Sequence, residues 1–388
     1  MRKQALIMMI LSAVILEPCV HAYAIEQPAG GISYGYDYFA SEDNGDLKQS
    51  FYSKLFDIST ELYNDSRDLS EYKGYYIIER VNYAEYDLTK DEAKEIYFTL
   101  RNDEPLFYFL SPTVGIEKDE LLIISSPKYV SGSERAMLQQ MIEDYILEQT
   151  GSLQDLPTVY ERAEAYYNTL VNSVDFAYNG SKPSSDPEAH NIIGVIKNNS
   201  GVCEAYARTF QLIMNCCGAE CLTVAGTAKG DGHAWDILRL DDGEYYCFDP
   251  TWDDLLGERE YFADGSEHFS KEHEPYTPDG KGSKFQCELP EISSQAFDYT
   301  AYIQNNFSRG DIDLDGSTDV TDMVKLSAHI KGKRLLNKYA LSRADLNGDG
   351  RINITDIVKL AAHLKGLRPT GRICYRIKNA LPFFGSAF

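Results

Sequence analysis

Long apolar runs are scarce in this chain. Apart from one at residues 5–16, no stretch approaches the ~20 apolar residues that a bilayer-spanning helix needs, so no membrane contact is expected once the N-terminus is removed. Basic charge is also scarce: 37 Lys and Arg stand against 60 Asp and Glu, a formal charge of −23, with no basic stripe. That balance argues against nucleic acid as a partner. Cys-x-x-Cys pairs are missing, and Cys216, Cys217 and Cys221 have no His nearby, so core packing suits them better than zinc. An even cysteine framework is missing too. Of eight cysteines, Cys19 falls in the segment expected to be removed; the seven left over, concentrated at 203, 216, 217, 221 and 247, leave at least one free thiol.

What is present begins with a leader. Arg2 and Lys3, an apolar run from Ala5 to Leu16, and Ala22-Tyr23-Ala24 in the A-x-A form read as a signal peptide over residues 1–24. Glu17 and Pro18 before Cys19 are not the small residues of a lipoprotein site. The run Leu367-Arg368-Pro369-Thr370-Gly371 echoes a wall-sorting motif, but its Pro is misplaced and no spanning helix follows. A secreted, extracellular protein is expected.

At 388 residues the chain should hold two or three folding units. Residues 25–150 are Tyr-rich and read as α+β, with helices over 89–100 and 133–148 and a strand over 121–125; no chemistry stands out there. Residues 151–300 open with a helical pattern over 158–171, followed by a Gly, Ser and Pro loop over 179–186. A helix follows Ser200-Gly201-Val202-Cys203, because Tyr206, Phe210, Ile213 and Cys217 recur at spacings that bury one face. Cys203 therefore sits in the first turn. Strands over 233–240 and 244–248, separated by Asp241-Asp242-Gly243, form a hairpin. Residues 301–309 read as a linker.

Three islands in that second unit carry chemistry: Cys203 in Gly-Val-Cys-Glu, His233 in Gly-His-Ala-Trp, and Asp249 in Phe-Asp-Pro-Thr-Trp. Cys, His and Asp suit acyl transfer through a thiolate. The positive end of the helix dipole and a nearby imidazolium stabilise the thiolate; the His moves the proton, and the Asp sets the tautomer of the His and its orientation. The hairpin supplies a geometric condition. A three-residue loop with Gly243 left-handed pairs Leu240 with Glu244, puts His233 opposite Thr251, and leaves Asp249 as its diagonal neighbour on the same face. A two-residue loop puts His233 and Asp249 on opposite faces. Trp235 and Trp252, the only tryptophans, flank the His and the Asp, as core or as a substrate wall. Cys247 reads as strand filler. Only the backbone N–H of Cys203 can be assigned to an oxyanion site.

The C-terminal part is duplicated. Asp311, Asp313, Asp315, Ser317, Asp319 and Asp322 recur as Asp345, Asn347, Asp349, Arg351, Asn353 and Asp356, offset by 34 residues. Oxygen side chains at loop positions one, three, five, nine and twelve, a Gly at six and a backbone carbonyl at seven are how Ca²⁺ gathers its six to eight oxygens, so two Ca²⁺ ions are expected. The twelfth residue is Asp rather than Glu, and no clear helix enters the first loop. Near-identical helices over 321–332 and 355–366 leave the loops. His329 and His363 read as exposed helix residues.

The duplicated segment, about 310–369, strongly resembles a type I dockerin, the module that plugs cellulosomal enzymes into cohesins on a scaffold protein. The resemblance implies two halves related by pseudo-twofold symmetry, with Val320 and Thr321 in one and Ile354 and Thr355 in the other meeting the cohesin. Residues of about 160–302 resemble the transglutaminase-like superfamily, papain-related in fold. That implies Cys203 as nucleophile, His233 as base and Asp249 as orienter; the papain-type motif around the Cys is absent. The overall expectation is α+β: a papain/transglutaminase-like core over 151–300 behind an N-terminal α+β region, then a small all-α dockerin and a tail over 370–388. A secreted thiol enzyme on amide or ester bonds of proteins or peptides follows, with a non-catalytic binding module as the rival. A role in polysaccharide breakdown is suggested only by the company dockerins keep, since no carboxylate pair stands in a recognisable glycosidase setting.

Overall fold

The structure, a computed structural model, describes residues 34–278, 280 and 284–366. The expected signal peptide, the sorting-motif echo at 367–371 and the tail over 370–388 lie outside the described residues. The N-terminal region packs helices α1 (Tyr34–Ala40), α2 (Gly45–Tyr63), α3 (Lys90–Asp103) and α4 (Gly132–Leu153) around an antiparallel sheet. Its strand order is β1 (Glu71–Tyr72), β2 (Tyr75–Asn82), β4 (Glu120–Ser125), β3 (Gly115–Glu117). Local chemistry explains α3: Thr89 caps the Glu92 N–H, Glu92 accepts from the Thr89 N–H, and Ala93, Ile96, Tyr97 and Leu100 bury one stripe. The boundary expected at 150/151 falls inside α4. One core continues across it, from Phe51 and Tyr97 to Tyr166, Phe210 and Phe248.

The second region contains α5 (Val159–Ser173), α6 (Ile192–Asn198), α7 (Cys203–Cys216), α8 (Pro250–Leu256) and α9 (Ser266–Phe269). Two short pairs, β5 (Asp175–Phe176) with β8 (Ser200–Gly201) and β6 (Tyr178–Asn179) with β7 (Lys182–Pro183), lead into α7. Helix α6 lies between the Gly, Ser and Pro loop over 179–186 and α7, where the pattern assigns no element. Tyr206, Phe210 and Ile213 are fully buried along α7, and burying Phe210 or Ile213 contributes ~1.5–3 kcal/mol each. That helix lies on a five-stranded antiparallel sheet ordered β12 (Phe262–Asp264), β11 (Tyr245–Phe248), β10 (Asp231–Arg239), β9 (Cys221–Ala228), β13 (His273–Pro275). Strands β9 and β13 were not anticipated from the pattern. Ala228 pairs with Asp231 across a two-residue turn whose Lys229 and Gly230 both have positive φ, 50° and 89°, the geometry of a type I′ hairpin.

The β10–β11 hairpin has the anticipated three-residue loop. Leu240 N–H donates to Glu244 O at 2.9 Å, Gly243 has φ of 90°, and the ladder runs from Arg239 with Tyr245 to Asp236 with Phe248. The pairing stops there. Pro250 starts α8, so the expected pair of His233 with Thr251 does not form, and Asp249 leaves the ladder as the N-cap of α8.

The third region holds α11 (Val320–Ile330), α12 (Lys338–Ala344) and α13 (Ile354–Leu364) around a small core of Ile312, Leu326, Ala340, Ala344, Leu346 and Leu360. A helix, α10 (Tyr299–Asn306), takes up most of the expected linker. Helix α12 runs directly into the second loop, with Asp345 as its C-cap. It also meets α5. Buried Glu161 accepts from Tyr299 Oη at 2.5 Å and pairs with buried Arg343 Nη1 at 3.4 Å, while Lys338 reaches Glu164 at 2.7 Å. Arg343 Nη2 also donates to the Ile312 carbonyl of the first loop at 2.9 Å. Tyr160 and Tyr299 stack at 4.4 Å, with Tyr339 edge-on to both.

Candidate active site

Cys203 opens α7, half-buried, behind the N-cap Val202. Its neighbour Glu204 anchors that first turn. Glu204 binds Arg101 of α3 at 3.0 Å, Arg208 at 3.1 Å and His190 at 3.3 Å. Burial opposes the Glu204 charge, but these cations hold the carboxyl well below the usual range, and the Glu204 bond raises His190. The N-terminal region, in which the sequence shows no chemistry, thus braces the Cys-bearing turn through Arg101.

His233 comes from β10 and Asp249 from the β11–α8 junction. His233 Nε2 lies 2.6 Å from Asp249 Oδ2. A carboxylate only accepts, so Nε2 carries the hydrogen, and Nδ1 is left for the Cys203 side chain, the other hydrogen-bonding neighbour of the ring. The structure thus brings Cys203, His233 and Asp249 together. Burial disfavours the His233 cation, yet the adjacent Asp249 charge, helped by the hydrogen bonds, pushes His233 up to about 10. Burial likewise opposes the fully buried Asp249 carboxylate, but His233 and a second histidine hold it down at about 2.

That second histidine, His273 of β13, is the residue sequence reasoning missed. It is 2% exposed, and its Nε2 lies 3.0 Å from the same Asp249 Oδ2. It arrives because β13 lies tightly against β9: a Cβ at Gly226 would fall 2.3 Å from the Glu274 carbonyl and 2.5 Å from Trp235. Oδ1 of Asp249 accepts from the Thr251 and Trp252 N–H groups, each at 3.1 Å. His233, Asp249 and His273 offer atoms within 4.8 Å of one another, each histidine at hydrogen-bonding separation from Asp249. Trp235 is 2% exposed and belongs to the core, whereas Trp252 is half-buried, 5.7 Å from the His233 ring, with Lys229 over its face. Cys247 fills the core. None of the six described cysteines is in a disulfide; burial pushes Cys217, Cys221 and Cys247 upward and Cys287 up to about 12.

In the duplicated region Asp311, Asp313 and Asp315 bring their carboxylate oxygens within 4.8 Å of one another. Asp311 Oδ1 and Asp313 Oδ1 are buried without a hydrogen-bond partner, and burial with Asp322 and Asp315 nearby pushes Asp311 up to about 6. Orphaned, mutually repelling hard oxygens fit a hard divalent cation. Both Asp322 and Asp356 tie their loops together, Asp322 accepting from Ile312 and Asp319 N–H, and Asp356 from Leu346 and Asn353 N–H. Asp319 and Asn353 cap α11 and α13. In the second loop Asp345 accepts from Gly348 and Gly350 N–H, which, Gly350 first, draw it below its usual value. Asn347 and Asp349 cap the backbone N–H groups of Asp349 and Arg351; Ser317, at the matching seventh position of the first loop, receives its cap from Asp315. Val320, Val324, Ile354 and Val358 are 61–64% exposed, an i, i+4 apolar pair on each helix, beside Thr321 and Thr355.

Among known proteins, the chain is 24% identical over 178 residues to the human kyphoscoliosis peptidase and 23% to its mouse counterpart. Those matches cover 40% of this chain and 26% of each relative, so the chain spans about a quarter of their length. Among solved structures, a TGase overlaps 51% of this chain and 58% of its own at 13% identity, TM-score 0.28. The periplasmic domain of TgpA from Pseudomonas aeruginosa overlaps 36% and 56% at 17% identity, TM-score 0.23. The transglutaminase-like superfamily model matches residues 148–250 and the dockerin type I model matches 309–365. The chain therefore carries a transglutaminase-like domain followed by a type I dockerin domain.

Proposed function

We propose that this chain is an exported thiol enzyme, held on a scaffold by its dockerin, that cleaves or transfers amide or ester bonds of proteins or peptides. The observation that carries the reading is the 2.6 Å contact of His233 Nε2 with Asp249, which leaves Nδ1 for Cys203 in the first turn of α7. In this scheme the Cys203 sulfur adds to the carbonyl carbon, and the His233 imidazolium gives its proton to the departing amine or alcohol. The C–N or C–O bond breaks and a thioester remains. Neutral His233 then takes a proton from water, whose oxygen displaces the sulfur; an amine arriving first gives cross-linking instead. Hydrolysis is the favoured outcome. Asp249 keeps Nε2–H pointed away from the sulfur throughout.

Type I dockerin domains bind calcium in general and imply a cohesin partner. Asp311, Asp313, Asp315, Ser317, Asp319 and Asp322 would hold one ion, and Asp345, Asn347, Asp349, Arg351, Asn353 and Asp356 the other, with Ser317 and Arg351, at the seventh loop position, offering their carbonyls. When bound, the ion supplies charge neutralisation that holds each loop closed. Val320 with Thr321 and Ile354 with Thr355 would meet the cohesin. Export is supported by the A-x-A leader and by the extracellular setting typical of dockerins; no described helix is long and apolar enough to cross a membrane.

The test is a proteome-wide cleavage and cross-linking screen comparing the full chain with Cys203→Ala, together with iodoacetamide labelling at mildly acidic pH. Cys203 should label faster than Cys216 or Cys221, and new protein termini should vanish in the variant. Equal labelling of all three thiols, with identical screens, leaves only a binding module.

A further inference from the structure

The thiol reading assigns roles to three residues and leaves a fourth, at the centre of the site, without one. His273 is buried, and it reaches the carboxylate oxygen that orients His233. Its position is built rather than incidental. The ring stacks on Phe269 at 3.9 Å and is enclosed by Trp235 at 5.2 Å, Trp252 at 4.6 Å and Tyr261 at 5.3 Å. Gly226 leaves room for the strand that delivers it. A simple filler of an aromatic pocket has no need of a ring nitrogen aimed at a buried carboxylate, which costs free energy to desolvate unless satisfied.

Resting on the thiol reading above, we propose that His273 is a positioning residue that donates Nε2–H to Asp249 Oδ2 and shares that oxygen with His233. Asp249 then carries four donors: two helix N–H groups on Oδ1 and two imidazoles on Oδ2. The sharing limits how strongly the carboxylate holds the His233 proton. A His that must both give a proton to a leaving group and take one from water works best when that hold is moderate. Without His273 the whole of Oδ2 falls to His233, and the imidazolium becomes harder to deprotonate.

Other ionisable groups face this centre. Cys203 approaches His233 from α7, Asp236 comes from β10, Cys247 from β11 and Asp253 from α8. Tyr167 comes from α5, Tyr261 precedes β12, and Glu272, paired with Lys229, lies beside His273. None of these side chains appears in hydrogen-bond contact with Asp249 Oδ2, which among the described residues is reached by the two histidines.

The experiment follows the pH dependence of iodoacetamide labelling at Cys203 in the full, calcium-loaded chain, together with the ring titration of His233 by NMR. His273→Phe keeps the ring in its aromatic enclosure and removes the donor; the basic limb, where His233 loses its proton, should move up by about one pH unit, the size of one charge-assisted hydrogen bond. His273→Gln, which restores a neutral donor, should return the limb towards its original position. A packing role alone lowers the melting temperature of either variant and leaves the limb where it was; that result overturns the proposal while the thiol reading stands. If the unmodified protein shows no such limb at Cys203, the thiol reading falls and the proposal with it. The unmodified protein gives an independent reading should the variants not fold. ¹⁵N NMR should find His273 Nε2 protonated wherever Cys203 labels, and an unprotonated Nε2 there overturns the proposal.

Discussion

At the scale of single residues, Asp249 is where the site is most exposed to test. Replacing it with Asn removes the charge that holds His233 up at about 10 and frees the ring to adopt the wrong tautomer. Turnover on any substrate found should fall roughly 10⁴-fold. The pair also contributes to stability within a definite pH window. Asp249 is depressed, so its share is complete above the ordinary carboxylate value and is lost as pH falls towards about 2. His233 is raised, so its share is complete below the ordinary imidazole value and is lost as pH rises through about 10. Denaturant melts of the native protein and Asp249→Asn should therefore differ most between about pH 4 and 6.5 and converge on both sides. The two calcium loops offer a second residue-scale test. The first carries five carboxylates, at 311, 313, 315, 319 and 322, whereas Asn347 and Asn353 leave the second with three. Titration calorimetry should resolve two affinities, the first loop the tighter, and Asp313→Asn should bring them together by roughly tenfold or more.

Elements explain why part of this was legible in the sequence and part was not. Cys203, His233 and Asp249 stand in three compact islands, and one turn residue, Gly243, with φ of 90°, sets the hairpin register that joins two of them. Local chemistry of that kind is written in consecutive residues. His273 is not: it lies on a three-residue strand, and only the pairing of β13 with β9 carries it to Asp249. Strand β9 was hidden because its turn uses Lys229-Gly230 rather than an Asn-Gly or Asp-Gly signal. Helix α10 was hidden for a related reason, since the Tyr-rich segment it occupies lacks a helical apolar stripe and is held by Tyr160, Tyr339 and Glu161 from distant elements. Those contacts predict that Arg343→Met, which strands Glu161 without its cation, costs about 3–5 kcal/mol. Calorimetry of the variant should show the dockerin melting separately from, and below, the transglutaminase-like core. A single unchanged transition means that the Glu161–Arg343 pair does not hold the two regions together.

On the scale of the whole molecule, the dockerin halves present matching exposed pairs, Val320 with Val324 and Ile354 with Val358. Either half should serve for docking. Charged substitutions at Val320 and Thr321 alone, or at Ile354 and Thr355 alone, should leave cohesin binding measurable by calorimetry, and the four together should abolish it. Loss from one half alone is incompatible with interchangeable faces. The core that runs unbroken from Phe51 to Phe248 makes a different demand: removing residues before α4 strips Arg101 from Glu204 and opens the interior, so a fragment limited to the family match at 148–250 should not fold.

The grip of α12 on α5 turns docking into aiming. If Glu161, Arg343 and the three tyrosines fasten the anchor to the transglutaminase-like body, and the two halves are related by the twofold axis that the dockerin resemblance implies, choosing one half or the other swings the entire body by about half a turn on its mount. A single gene product would then point its thiol along the scaffold in two opposed directions, reaching neighbours on either side without any hinge of its own.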